Sequence, residues 1–246
     1  MKILIISDLH IDAGDRLGTF RWDQKDLIRH LEKMRELHNL ERIIFNGDTF
    51  ELLKYTREEI SGANKTLMDY FRDENFIFIN GNHDMLNGNG REYYRIINSS
   101  GQVIHIEHGH NADWFNGSGI GRAISKFGFS LLRMLSGFEI LRKVYFFIVA
   151  VEESLNSVPR KYNTLKYLTY ALNLLKENDM VILAHTHKLE SHHTYYLNKK
   201  KRYLNCGSCS LGRFQGVVLD TETLRYDLVK ETRESVNNLY VIPMVG

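Results

Sequence analysis

Short apolar runs punctuate the chain, and each is followed at once by polar residues. Ile3–Ile6, β-branched at Ile3, Ile5 and Ile6, reads as a buried strand. Ile43–Phe45, Phe76–Ile79, Val103–Ile106 and Met180–Ala184 read the same way. Between the first two runs, Trp22 to His38 places Leu27, Ile28, Leu31, Met34 and Leu37 at helical spacing. Ala63 to Phe71 predicts a further helix. After Ala184 the pattern changes. His192–Leu197, Arg202–Asn205, Gly216–Leu219 and Tyr226–Val229 read as antiparallel strands and hairpins, with Lys199-Lys200-Lys201-Arg202 as a solvated tip. A βαβαβ start with a β-rich end predicts an α/β class with a mixed sheet.

One interval breaks the rhythm. Some seventy residues separate the fourth and fifth runs, too many for a structureless loop. The reading is a helical insertion at about 117–178 in a single domain spanning 1–246. From Ile120 to Val151, 20 of 32 residues are hydrophobic, well above the 43% of the whole chain. Ile124, Phe127, Leu131, Leu135, Phe138, Leu141, Tyr145 and Ile148 recur at spacings of three and four, an apolar stripe on a helix. Arg122, Lys126, Arg133, Arg142 and Lys143 oppose Glu139 alone. Two readings suit this insertion: a helical hairpin packed on the main domain or on a partner subunit of a homodimer, or a basic amphipathic cap that meets a membrane surface or an acyl chain.

Charge and cysteine content narrow the classes. Net charge is +2 over 246 residues, so no global basic field marks a nucleic-acid binder. Cys206 and Cys209 form one C-x-x-C, too few ligands for a structural zinc site, and read as buried thiols. MKILIISDLH is too short an apolar start for a signal peptide, and no long charge-free stretch reads as a membrane span. A cytoplasmic protein is expected, peripheral at the membrane if the insertion meets lipid.

Histidine is the outlying count, at 11. After Ile3–Ile6 come Asp8 and His10; after Ile43–Phe45, Asn46-Gly47-Asp48; after Phe76–Ile79, Asn80-Gly81-Asn82-His83-Asp84. After Val103–Ile106 come His108-Gly109-His110, and after Met180–Ala184, His185-Thr186-His187. Ligand sites of open α/β sheets lie outside the carboxyl ends of the strands. If neighbouring strands are parallel, these side chains converge. Imidazole and carboxylate without thiolate suit a divalent transition metal such as Mn, Fe or Zn. Seven candidates, Asp8, His10, Asp48, Asn82, His108, His185 and His187, exceed the needs of one ion and match two ions sharing a carboxylate. Gly47, Gly81 and Gly109 would allow positive φ and close backbone approach. His30 and His38 read as solvated; His105, His192 and His193 read as structural.

The ordered series D-x-H, G-D, G-N-H-D, H-G-H and H-x-H, from Asp8 to His187, resembles the calcineurin-like metallophosphoesterase superfamily. Asn205-Cys206-Gly207-Ser208 resembles the N-x-G-S turn that follows in many members, and Ala184 stands where the family usually has Gly. The resemblance implies a four-layer α/β/β/α sandwich with mixed sheets and a dinuclear site at its apex. It would place Asp8, His10 and His187 on one metal, Asn82, His108 and His185 on the other, and Asp48 between them. The cofactor implied is two divalent metal ions, Mn foremost, with Fe, Zn or Mg compatible. A metal-bridging hydroxide would attack phosphorus, and His83 would protonate the leaving oxygen. Asp84 would orient His83 through a hydrogen bond, and His110 would touch substrate or a metal-bound water.

D-L-H-x-x-x-G, N-G-D-x-F, H-G-H and the helical insertion are similar to the UDP-diacylglucosamine pyrophosphohydrolase branch. Its members act on a lipid-linked pyrophosphate under a helical cap. That branch usually carries Arg where this chain has His83; Gly-Asn-His-Asp is commoner in phosphodiesterases and monoesterases. The expected function is hydrolysis of a phosphodiester or pyrophosphate bond in a nucleotide- or lipid-linked small molecule. The alternatives are a DNA-repair-type nuclease, against which the near-neutral charge argues, and a non-catalytic scaffold subunit.

Overall fold

The apolar runs become strands because each has a hydrophobic layer on both faces. A computed structural model describes residues 1–72, 75–84, 90–113, 118–157 and 161–232, the side chains of 122, 152–164 and 232 excepted. One sheet has the order β10-β9-β1-β2-β3. There β1 (Lys2–Ile6), β2 (Arg42–Asn46) and β3 (Phe76–Ile79) are parallel, while β9 (Arg213–Asp220) and β10 (Arg225–Thr232) add antiparallel strands. The second sheet has the order β4-β5-β6-β8-β7. Its parallel centre is β5 (Val103–Glu107), β6 (Met180–Leu183) and β8 (Lys199–Cys206). Antiparallel edges come from β4 (Tyr93–Ile97) and β7 (Leu189–Tyr196).

Period-two alternation sorts the side chains into layers. Ile3, Ile5 and Ile44 meet Ile104, Ile106 and Ile182 between the sheets. Leu4, Ile6, Ile43 and Phe45 point to the other face, against Leu27, Leu31 and Met34 of α1 (Gln24–His38). The short helices α2 (Arg57–Ala63) and α3 (Lys65–Tyr70) add Ile60 and Leu67 to that layer. On the far side Val181, Leu183 and Tyr203 pack on Ala171 and Leu175. Helix, sheet, sheet, helix is the expected four-layer sandwich.

Among the described residues, three α-helices run between β5 and β6: α4 (Gly119–Met134), α5 (Glu139–Ser157) and α6 (Lys161–Leu174). Residue 117, the expected start of the insertion, lies outside the described residues. Only α6 belongs to the sandwich. The stripe expected on one helix is split, because the chain leaves helical hydrogen bonding at Leu135 and turns through Ser136 and Gly137, where Phe138 N donates to the Leu135 carbonyl.

Three local expectations are corrected. The Lys-rich segment is not a tip but the start of β8; the turn is Leu197-Asn198, both at positive φ (49° and 61°), the backbone of a tight hairpin. Lys201 is buried and paired with Asp179 at 2.9 Å. His30 is not solvated but 1% exposed, edge-on to Phe214 with ring centroids 4.2 Å apart.

Candidate metal centre

The parallel strands of both sheets deliver their carboxyl ends to one place. The loop after β1 continues the pairing with the loop after β2: Asp8 N donates to the Gly47 carbonyl and His10 N to the Asp48 carbonyl, each at 3.0 Å. Across the sheets, the Asn46 amide donates to the Glu107 carbonyl and His185 N approaches Asp8 Oδ2 at 3.4 Å. Asp8, His10, Asp48, His185 and His187 all sit at positive φ, between 49° and 68°. Non-glycine residues rarely adopt that region, and strain of this kind gathers at functional sites. Gly47, at φ 88°, lets the loop pass the His108 ring, which an added Cβ would meet at 2.4 Å. Gly81 does not take positive φ; it is needed because a Cβ there would strike Asp48.

Two clusters result, one formed by Asp8, His10 and His187, the other by Asp48, His108 and His185. Asp8 Oδ1 is 3.1 Å from His187 Nε2 and 4.0 Å from His10 Nε2. Asp48 Oδ2 lies 3.2 Å from His108 Nε2 and 4.0 Å from His10 Nε2, so it faces both clusters. The geometry also groups His83 with His10 and Asp48. Asn82 is buried, and its Oδ1 has no hydrogen-bond partner among the described residues. His110 is buried on the turn after Gly109, its ring 5.5 Å from that of His108.

The donor set fits cations on its own chemistry. His108 Nδ1 is 2.8 Å from the Asn46 carbonyl, which only accepts, so Nδ1 carries the proton. In the neutral ring Nε2 then presents a lone pair to the Asp48 carboxylate at 3.2 Å, and no hydrogen bond satisfies it. A lone pair and a carboxylate oxygen converge without repulsion only when a positive charge lies between them. Without metal, protons supply it. Burial opposes charging His108, yet Asp48 and Asp8 outweigh it and push its pKa up to about 9. Burial drives His185 the other way, down to about 3, and the neighbouring His108 charge adds to the drop. Burial would raise the carboxyl pKa values, but the histidines hold Asp8 down at about 2 and Asp48 well below the usual range.

Asp84 does not hold the His83 ring as expected. Its carboxylate accepts from the backbone N–H groups of Thr49, Phe50 and Gly81, so it ties the third loop to the second. The ring is held by Glu51, whose Oε1 is 2.7 Å from His83 Nδ1 and whose Oε2 is 3.2 Å from His10 Nδ1. Burial works against charging His83, but Glu51 and Asp48 raise its pKa to about 9. The sequence reading does not pick out Glu51. Its only signal is an acidic residue three positions after Asp48, in a loop that carries a ligand. Cys206 and Cys209 are buried free thiols, as expected, and burial pushes both up to about 12.

The family model described as Calcineurin-like phosphoesterase matches residues 1–200. No curated protein matches the sequence. Solved structures do. A conserved uncharacterized protein from Streptococcus pneumoniae TIGR4 is 16% identical, with 95% of this chain and 90% of that chain covered and a TM-score of 0.43. Yfce, a phosphoesterase from E. coli, is 13% identical, with 93% and 98% covered and a TM-score of 0.46. Vps29 of Chaetomium thermophilum is 15% identical, with 94% and 95% covered and a TM-score of 0.43.

Proposed function

The chain belongs to the calcineurin-like phosphoesterase family, and we propose that it hydrolyses a phosphodiester or pyrophosphate bond of a nucleotide- or lipid-linked small molecule. The observation that carries this reading is Asp48, set between two buried His/Asp clusters. Asp8, His10 and His187 would hold one divalent cation, and Asn82, His108 and His185 the other, with Asp48 shared. Manganese suits this set. Such a pair supplies Lewis-acid polarisation of the phosphoryl group and acidifies a water. The chain's own residues do the rest. Glu51 fixes the His83 Nδ1 proton, which turns Nε2 toward the cluster, 4.0 Å from Asp48 Oδ2. From there His83 delivers a proton to the leaving oxygen. Asp84 keeps the second and third loops in register, and His110 lines the substrate side.

The finer reading is a lipid-linked substrate, of the kind handled by the UDP-diacylglucosamine pyrophosphohydrolase branch. Its support is the outer surface of α4 and α5. Phe127, Met134, Ile140 and Phe147 are each 68% or more exposed. Lys126 is exposed beside them, and Lys143 pairs with Glu139 at 3.0 Å. Exposed apolar residues of this number suit an interaction site, and the basic residues beside them suit an anionic membrane surface. Among the described residues no helix is long and apolar enough to cross a membrane.

The test is metal-reconstituted hydrolysis. Chelator-stripped protein reloaded with Mn²⁺ is compared on bis-p-nitrophenyl phosphate, p-nitrophenyl phosphate and a UDP-sugar lipid, with and without detergent micelles. Metal-dependent turnover of the small diester supports the hydrolase reading. A strong preference for the lipid pyrophosphate supports the finer one. Equal rates on the lipid and its deacylated analogue would remove the acyl chain from the account.

A further inference from the structure

The insertion meets the core at the turn after β2, and that turn carries two charges inward. Glu51 is 1% exposed and Lys54 8%. A buried charge persists only where partners replace its lost hydration. The partners of Glu51 are His83 Nδ1 at 2.7 Å, His10 Nδ1 at 3.2 Å and Lys54 Nζ at 3.2 Å. The remaining partners of Lys54 come from the insertion. Its Nζ donates to Tyr145 Oη of α5 at 2.7 Å. It also lies 5.1 Å from the ring centre of Phe129 on α4 and 5.2 Å from that of Tyr145. Tyr145 is 8% exposed, on a helix where Phe146 is half-buried and Phe147 is 68% exposed. The contacts therefore run unbroken from α5 through Lys54 and Glu51 to the His83 ring.

Two consequences follow. A carboxylate at Nδ1 keeps the proton there in both rings, which aims each Nε2 at Asp48, 4.0 Å away in each case. And Glu51 shares its two oxygens among three donors, so its position depends on whether Lys54 is held from the other side. That hold is supplied by a helix some ninety residues further along the chain.

We propose that Glu51 is a positioning residue shared by His83 and His10, and that the Lys54–Tyr145 pair makes its position depend on the seating of α5 against the core. The insertion is then a part that sets the aim of His83, besides being a surface that meets substrate. The catalytic consequence rests on the phosphoesterase reading; the coupling itself does not.

The test uses the full chain and two readouts. The first is the imidazole ¹⁵N spectrum of the metal-free protein, with His83 assigned by its loss in His83→Gln. The expected result is an Nδ1–H resonance for His83 that carries the hydrogen bond to Glu51, displaced in both Lys54→Met and Tyr145→Phe. An unchanged His83 signal in both variants overturns the proposal. The second readout is turnover of bis-p-nitrophenyl phosphate by the Mn²⁺-loaded protein. Lys54→Met should lower kcat roughly 10- to 100-fold, the range for residues that orient metal-site side chains. KM should stay within about twofold, and Tyr145→Phe should fall in the same direction by less. A change confined to KM, or wild-type kcat in both variants, overturns the proposal. Should Lys54→Met not fold, Tyr145→Phe removes one oxygen atom and carries both readouts. If the wild-type protein turns over no diester, the phosphoesterase reading fails while the spectra still decide the coupling.

Discussion

Strand β2 and helix α5 are both written in strongly apolar residues, and they meet opposite fates. Ile43, Ile44 and Phe45 of β2 are 0% exposed, whereas Ile140 and Phe147 of α5 are 73% and 68% exposed. The strand has a sheet partner on each edge and a hydrophobic layer on each face. The helix meets the core through Tyr145 and the half-buried Phe146, whereas Ile140, Val144, Phe147 and Val151 are exposed. An apolar periodicity states that a surface is to be covered. It does not state by what. In the sandwich the cover is the rest of the fold; on the insertion, among the described residues, it is not.

The sharpest way to break this comparison is to exchange the consequences. Asp48→Ala, at the end of β2, should reduce turnover of bis-p-nitrophenyl phosphate by about 10³-fold, some 4 kcal/mol of barrier. Phe147→Ser should leave that soluble diester untouched, as steady-state kinetics would show. The next largest effect is on stability. Ile44→Ala empties a site between the sheets and should cost about 2–5 kcal/mol in urea unfolding. Ile140→Ala should stay within about 0.5 kcal/mol, as exposed substitutions do. Equal costs would mean that the α5 face is covered after all.

A third prediction concerns the sandwich alone. Burial lowers the His30 pKa to about 4, with Lys33 adding to the shift. The unfolded chain takes up this proton near its ordinary value of about 6.5. Stability from His30 is therefore fully present above pH 6.5 and declines as pH falls from there toward 4, by roughly 2–3 kcal/mol. In His30→Leu that part of the pH dependence should vanish; an identical slope in both proteins would contradict the assignment. The smallest effect is on the insertion. Phe147→Ser should weaken partition onto phosphatidylglycerol-containing vesicles by about tenfold in a flotation assay.

Much of the sandwich was legible in the sequence because its strands are covered on both faces and read as continuous apolar runs. Their ends could be found for the same reason: Asp8, Asp48, Asn82, His108 and His185 each stand within three residues of the end of such a run. The edge strand β4 was not legible, since Tyr93–Ile97 alternates exposed and half-buried positions and has one neighbour. His30 was placed wrongly although it stands three residues after Leu27, on the face that packs against the sheet. Glu51 takes the role expected of Asp84 for a different reason. Both are acidic residues near the ligands, and only the fold decides that one carboxylate meets three backbone N–H groups and the other a ring. Glu51 and Lys54 carry no signal of burial in the sequence, because their burial depends on Tyr145 and Phe129, far along the chain.

The proposed hydrolytic site requires two divalent cations that share Asp48. The most direct measurement counts metal in the same sample that is assayed. Chelator-stripped protein is reloaded with Mn²⁺, desalted, analysed by plasma mass spectrometry and then given bis-p-nitrophenyl phosphate. Two manganese ions per chain are expected, with turnover that disappears on stripping and returns on reloading, and loss of both in Asp48→Ala. Fewer than one ion per chain, or turnover indifferent to stripping, would contradict the proposed site.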